Sequence, residues 1–338
     1  MHARGSQRKT TPDSWRRRLT QSLLGRRKTR VIGLLAAVVV IAIVLVGIGW
    51  SPAGFRLLTG RSAASPSPAL PSLSLPIRAA FYYPWFPEAW SQQGMDPFTR
   101  YHPSLAYYST DPTTVREHIR AMQYANIRAG IASWWGQGSA TDGRIQMLLQ
   151  AASLTGFEWA LYYEPEGQGD PPASQLTADL KYIQARYSQQ PGYLRVGGRP
   201  VLFVYSDGAD GCGMATRWKQ ANTVGFYVVL KVFAGYQACA SQPDGWHQYA
   251  PARAADSQPG FSFTISPAFW KATEPLPRLA RDPTRWSKSV AAMIASKAPW
   301  QLITTFNEWG EGTSIENAVE WKSATGYGAY LDLLHGVT

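Results

Sequence analysis

Glu308 and Glu311 stand three residues apart in the stretch ITTFNEWGEGTSIENA, Ile303 to Ala318, with Asn307, Trp309, Gly310 and Gly312 around them. Two carboxyl groups that share a site can divide proton transfer between them. One keeps its proton near neutral pH, helped by burial and a like-charged neighbour, while the other stays ionised. On a helical turn, residues i and i+3 carry their Cβ atoms roughly 5 to 6 Å apart on one face. Without any function, the same spacing describes two solvated loop carboxylates or charges near a helix start.

Further residues of the same kinds close other apolar runs. Tyr82, Tyr83 and Trp85 end the first, Trp134, Trp135 and Gln137 the second, and Tyr162, Tyr163, Glu164 and Glu166 the third. Tyr205, Ser206 and Asp207 end the fourth, and Lys231 lies late in the fifth. Sugar rings present flat C–H faces to Trp and Tyr and hydroxyls to carboxylates and amides, and a glycosidic bond is broken between two carboxyl groups. The plainer reading makes the aromatics core residues, with Tyr82 and Trp134 as packing partners of Tyr83 and Trp135. His102, His118 and His247 are too scattered to suggest a metal site, and most of them read as solvated side chains. A GxSxG elbow is absent from the sequence, which leaves a serine hydrolase little support.

The elements that must position these residues alternate. Runs rich in β-branched and aromatic residues predict strands over 79–86, 127–135, 158–164, 199–206, 225–233, 261–269 and 301–307. Asp111-Pro112 and Asp282-Pro283 read as N-caps followed by proline in the first turn, ahead of apolar stripes at Val115, Ile119 and Met122 and at Trp286, Val290 and Met293. Asp142 and Ser174 open two more predicted helices, and a last one covers 326–335. This alternation, without a glycine-rich phosphate loop after the first strand, predicts a (β/α)8 TIM barrel in α/β class rather than a doubly wound sheet. One strand is missing from the count; GWHQYA, 245–250, is the best candidate, in a half of the barrel that reads as irregular.

Composition narrows the function. The net charge of +11 is concentrated in residues 1–30, which hold ten Lys/Arg and one acid, so the remaining chain carries only about +2 and no nucleic-acid footprint. Residues 1–30 read as a basic cytoplasmic tail, and the twenty uncharged residues 31–50 as an uncleaved transmembrane signal anchor that leaves everything after Trp50 extracytoplasmic. A cleaved signal peptide is the rival, with an apolar region that is normally shorter. Residues 51–76 form a Pro/Ser-rich linker, and 77–338 the folded barrel, expected to act as a monomer. Cys212 and Cys239 are the two cysteines; an oxidising compartment favours a bridge, two unpaired thiols being the alternative.

FYYPWF, IASWWG, YYEPEG, VLFVYS and ITTFNEWGEGTSIENA resemble glycoside hydrolase family 99, the endo-α-mannosidase and endo-α-mannanase family, and more distantly the family 71 α-1,3-glucanases. The similarity runs over about 79–330. It implies a (β/α)8 barrel that cleaves α-linked mannose-type chains with retention, the substrate's own 2-hydroxyl attacking the anomeric carbon. It implies Glu308 as general base towards that hydroxyl and Glu311 as general acid and later base. Glu164, Tyr83, Trp135, Trp134, Tyr205, Lys231, Asn307 and Trp309 are the expected substrate-binding residues, and no metal or other cofactor is needed. Two departures matter: Gly310 stands where the family usually has His, and Asn317 where it usually has Pro. The rivals are a surface barrel that binds glycans without cleaving them and, less favoured for want of an Asp-x-Asp motif, a glycosyltransferase.

Overall fold

The computed structural model describes residues 72–336. The expected cytoplasmic tail and anchor, and most of the linker, lie outside these residues. Among the described residues no helix is long and apolar enough to cross a membrane.

Eight parallel strands form the centre: β1 (Ile77–Tyr82), β2 (Ala129–Trp134), β3 (Glu158–Tyr163), β5 (Arg199–Val204), β6 (Tyr227–Lys231), β7 (Gly245–His247), β9 (Ser262–Ile265) and β10 (Trp300–Ile303). The missing strand is thus β7, inside the 245–250 candidate. Two short strands are added by hairpins: β4 (Arg195–Val196) pairs antiparallel with β5, and β8 (Ala255–Gln258) with β9. The β4–β5 link is two glycines, Gly197 at φ +58° and Gly198 at φ +76°, as a two-residue turn of that hand requires. The ladder runs β7-β6-β5-β3-β2-β1-β10-β9. At the seam between β7 and β9 the Thr264 hydroxyl donates to the Gln248 carbonyl at 2.6 Å.

Among the described residues six α-helices pack outside: α1 (Pro112–Tyr124), α2 (Asp142–Ala152), α3 (Ala173–Ile183), α4 (Cys212–Ala221), α5 (Pro283–Ala295) and α6 (Ala329–His335). Both Asp-Pro signals hold. Asp111 accepts from the amides of Thr113 and Thr114, each at 2.9 Å, and Asp282 does the same for Thr284 and Arg285. Ser174 lies inside its helix instead of capping it, and α4 has no counterpart in the sequence reading. Asp142 is the first residue of α2, and its buried carboxylate accepts from Trp134 Nε1, the Gly138 amide, Tyr182 and Tyr187 at 2.7 to 2.8 Å.

The irregular half is real. Among the described residues no α-helix separates β6 from β7 or β7 from β9; a short 3-10 turn, Tyr236–Ala238, and the β8–β9 hairpin stand there. The Cys212–Cys239 disulfide ties the start of α4 to the residue after that turn.

Strand alternation sorts the aromatics into two layers. Phe81 faces inward among the rings of Tyr162, Phe203, His247 and Tyr249, at centroid distances of 4.8, 6.4, 5.8 and 5.1 Å. Tyr82, Trp134 and Tyr163 face the helices, where their polar tips meet His118 at 3.0 Å and Asp142 and Asp179 at 2.7 Å. A buried polar tip left without a partner would cost about 1 to 3 kcal/mol, so each outward ring is matched by a group on the following helix.

Candidate active site

β10 stops at Ile303, short of the expected 301–307, because the chain then folds back on itself. Thr305 N donates to Thr313 O at 3.0 Å, and Glu316 N to Phe306 O at 2.9 Å. The excursion between these anchors carries both glutamates. Trp309 to Gly312 form a tight turn, closed by Gly312 N to Trp309 O at 3.1 Å, where the sequence suggested a helical turn. The Glu308 amide donates to the Thr305 hydroxyl at 2.9 Å, and the Glu311 amide to Glu308 Oε1 at 3.3 Å.

Both carboxylates are nearly covered, Glu308 at 2% exposure and Glu311 at 5%. Tyr249 donates its hydroxyl to Glu311 Oε2 at 3.1 Å and receives that of Tyr83 at 3.0 Å. Tyr83 stacks on Trp85 at 4.5 Å. Asn307 is buried and serves the backbone: its amide oxygen accepts the Tyr83 amide at 2.8 Å and its nitrogen donates to the Tyr83 carbonyl at 3.1 Å. It thereby continues the β10 to β1 pairing with a side chain after the ladder has ended. Glu164, at the end of β3, accepts the Ser133 hydroxyl at 2.9 Å.

The remaining expected residues divide. Trp135 is half-buried at the end of β2, its amide donating to Thr141 Oγ1 at 3.1 Å. Lys231 donates to the Ser206 carbonyl at 2.6 Å and lies 4.7 Å from the Tyr205 ring centre, so those two form one unit. Trp134 and Trp309 do not join the site. Trp134 points to the helix layer. Trp309, 1% exposed, donates to Tyr108 Oη at 3.2 Å and Glu316 Oε2 at 3.1 Å and stacks on Trp321. Strand alternation explains Trp134, which is one residue out of phase with its inward neighbour, whereas Trp309 lies in the turn that follows β10.

Two histidines also depart from the expectation of solvated side chains. His118 is buried against Tyr82 and Glu316, and His247 lies inside the barrel 3.2 Å from Tyr162 Oη. Burial, with Lys231 adding to it, pushes the His247 imidazole down to about 3, so it is neutral at neutral pH. Tyr249 was missed as a site residue; it lies two residues beyond the end of β7 at His247, and no alternation in the sequence marks it. Phe98 carried no signal at all. A Cβ built on Gly310 would lie 2.7 Å from Phe98 Cε1 and 3.2 Å from Glu308 Oε1. The Phe98 ring fills the space that a side chain at 310 would need.

Asn317, the other departure, donates its side-chain amide to the Gly326 carbonyl at 2.7 Å and closes the following loop.

Residues 78–223 match the model for Glycosyl hydrolase family 99, a span that includes Tyr83, Trp135, Glu164 and Tyr205 and ends before Glu308 and Glu311. That match covers less than half of the chain. The human glycoprotein endo-alpha-1,2-mannosidase-like protein is 24% identical over 289 residues, 69% of this chain and 60% of its own length. The mouse glycoprotein endo-alpha-1,2-mannosidase is 24% identical over 274 residues, 66% of this chain and 58% of its own. The chain thus spans about 60% of the curated relatives it matches. Among solved structures, the family 99 endo-alpha-mannosidase of Bacteroides thetaiotaomicron bound to bis-tris-propane superposes with a TM-score of 0.64 at 22% identity, covering 77% of this chain and 95% of that one. The barrel therefore shares the fold of that structure.

Proposed function

We propose that this protein is a retaining, endo-acting glycoside hydrolase of α-linked mannose-type glycans, with Glu308 and Glu311 as its catalytic residues. The observation that carries the reading is the buried turn that fixes the Glu311 amide on Glu308 Oε1 while Tyr249 holds the Glu311 carboxyl. In the sequence of steps the family resemblance implies, Glu308 takes the proton of the substrate's 2-hydroxyl as that oxygen attacks the anomeric carbon. Glu311 protonates the departing glycosidic oxygen. The product of this step is a 1,2-anhydro sugar. Glu311 then takes a proton from water, the water oxygen attacks the anomeric carbon, and Glu308 returns its proton to the 2-oxygen, so the configuration is retained. Paired proton transfer of this kind contributes about 10² to 10⁴ in rate for each group.

Glu164, Trp135, Tyr83 and the Tyr205–Lys231 unit line the substrate in this reading, the aromatics stacking on sugar faces. Residues 31–50 anchor the protein in a membrane with the barrel extracytoplasmic. Ile77 enters β1 at the N-terminal face of the barrel and the two glutamates follow the C-terminal end of β10, so the site lies on the face opposite the start of β1.

The test is a panel of α-mannans, α-mannosyl oligosaccharides and α-1,3-glucans with product analysis by NMR. Release of an α-mannose-containing oligosaccharide with retained configuration, lost in Glu308→Gln and Glu311→Gln, is the expected result. Glycan binding that persists in all three proteins without turnover in any would leave a binding barrel instead, and cleavage of α-1,3-glucan alone would move the substrate class.

A further inference from the structure

The turn that carries Glu311 is held from a distance. The Gly312 carbonyl at its end and the Ser314 carbonyl just beyond it converge on one nitrogen, Nη2 of Arg281, at 3.0 and 2.8 Å. Two carbonyl oxygens aimed at one point repel each other unless a donor stands between them, and a guanidinium NH2, with two hydrogens and a share of positive charge, suits that task. Arg281 cannot easily swing away. Its guanidinium carbon lies 3.8 Å from the Trp321 ring centre, 4.7 Å from that of Tyr101 and 4.9 Å from that of Tyr330. Its backbone precedes Asp282, whose carboxylate caps α5, so the clamp is built on the start of a rigid helix.

The opposite side of the turn is equally close. Trp270 N donates to Glu311 O at 2.8 Å, and Ala272 N to Gly310 O at 2.9 Å. Gly312, at φ +65°, leaves no room for a side chain: a Cβ there would meet the Trp270 carbonyl oxygen at 2.6 Å. Glu311 is thus suspended between the Trp270–Ala272 segment on one side and Arg281 on the other.

We propose that Arg281 is a positioning residue for Glu311: its caged guanidinium fixes the Gly312–Ser314 carbonyls and thereby aims the carboxyl that protonates the leaving group. The inference rests on the assignment of Glu311 as general acid. A misplacement of about 1 Å in such a group costs up to about a hundredfold in rate.

The experiment uses two substrates with the same sugars on the non-leaving side, one with a native sugar leaving group and one with an activated aryl leaving group that departs without protonation. Cleavage of the native substrate by the unaltered protein establishes the reading on which the inference depends; its absence is a failure of that reading and not of Arg281. Arg281→Met keeps the bulk and ring contacts and removes the donors. Arg281→Lys keeps the charge and one donor centre. The expected result is a fall in kcat/KM of about tenfold to a hundredfold on the native substrate and little change on the activated one, largest in Arg281→Met and partly restored in Arg281→Lys. An equal loss on both substrates, no loss on either, or failure of both variants to fold would each overturn the proposal, because a purely structural role moves the two leaving groups together.

Discussion

Glu311 donates its backbone amide to the carboxylate of Glu308 at 3.3 Å, so each residue of the pair limits where the other can be. Carboxylates on independent loops would have two separate sources of misplacement. Here one turn orients both, and the groups that hold the turn, Thr305, Tyr249 and Arg281, come from three parts of the chain.

Tyr249 is the direct partner of Glu311 and Tyr83 stands one bond further away. A hydrogen bond to a charged group is worth about 1.5 to 3 kcal/mol, which as transition-state stabilisation corresponds to roughly tenfold to a hundredfold in rate. Tyr249→Phe is expected to lower kcat within that range on the native substrate. Tyr83→Phe, which leaves the bond to Glu311 intact, is expected to lower kcat less. Steady-state kinetics of both variants check the order.

Gly310 and Phe98 compete for one volume. Gly310→His alone must displace a ring that is only 4% exposed, so it is expected to destabilise the protein by about 1 to 3 kcal/mol and to reduce turnover by crowding Glu308. Combined with Phe98→Ala, the same histidine gains its space. The double variant should then be more active than Gly310→His, a non-additivity that a double-mutant cycle measures directly.

His247 makes stability depend on acidity. Burial first and the Lys231 charge second lower its imidazole from 6.5 to about 3 in the folded state. The unfolded chain binds that proton near pH 6.5, whereas the folded protein does so only near 3. Its contribution is therefore fully present above about pH 6.5 and is lost as pH falls through that window, by about 1.4 kcal/mol per pH unit. Urea unfolding at a series of pH values should show a shallower acid decline in His247→Gln than in the unaltered protein.

The Cys212–Cys239 bridge closes a loop with a sequence separation of 27 in the part of the barrel that has fewest helices. In the chain-entropy account a loop of that size is worth about 3 to 4 kcal/mol. Replacing both cysteines with serine should lower the unfolding free energy by about that amount, and reduction of the unaltered protein should have a similar effect. A change under about 1 kcal/mol would mean that the unfolded chain is already constrained there.

The local signals in the chain were strong where a single element carries its own cause. Asp111-Pro112 and Asp282-Pro283 cap helices because the carboxylate and the proline act within three residues of each other. Apolar runs located seven of the barrel strands, since a strand buried on both faces is largely apolar, and the eighth, inside GWHQYA, was pointed to by the count a closed barrel requires. That same property hid the facing of each residue. In a strand buried on both sides Tyr82 and Tyr83, or Trp134 and Trp135, look alike, and only the register between strands separates the ring that meets a helix from the ring that meets the site.

The sequence by itself therefore determined the strand and helix alternation, the two cysteines and the pair Glu308 and Glu311, because spacing along one segment is a local property. Tertiary structure alone decided which groups surround that pair. Tyr249 reaches Glu311 across 62 residues, Arg281 reaches the turn across 31 and 33, and the Phe98 ring occupies the space beside Gly310. None of these distances is written in a periodicity. They follow from closing the sheet into a barrel, which brings the ends of distant strands around one opening and lets side chains far apart in the chain fill the same small volume.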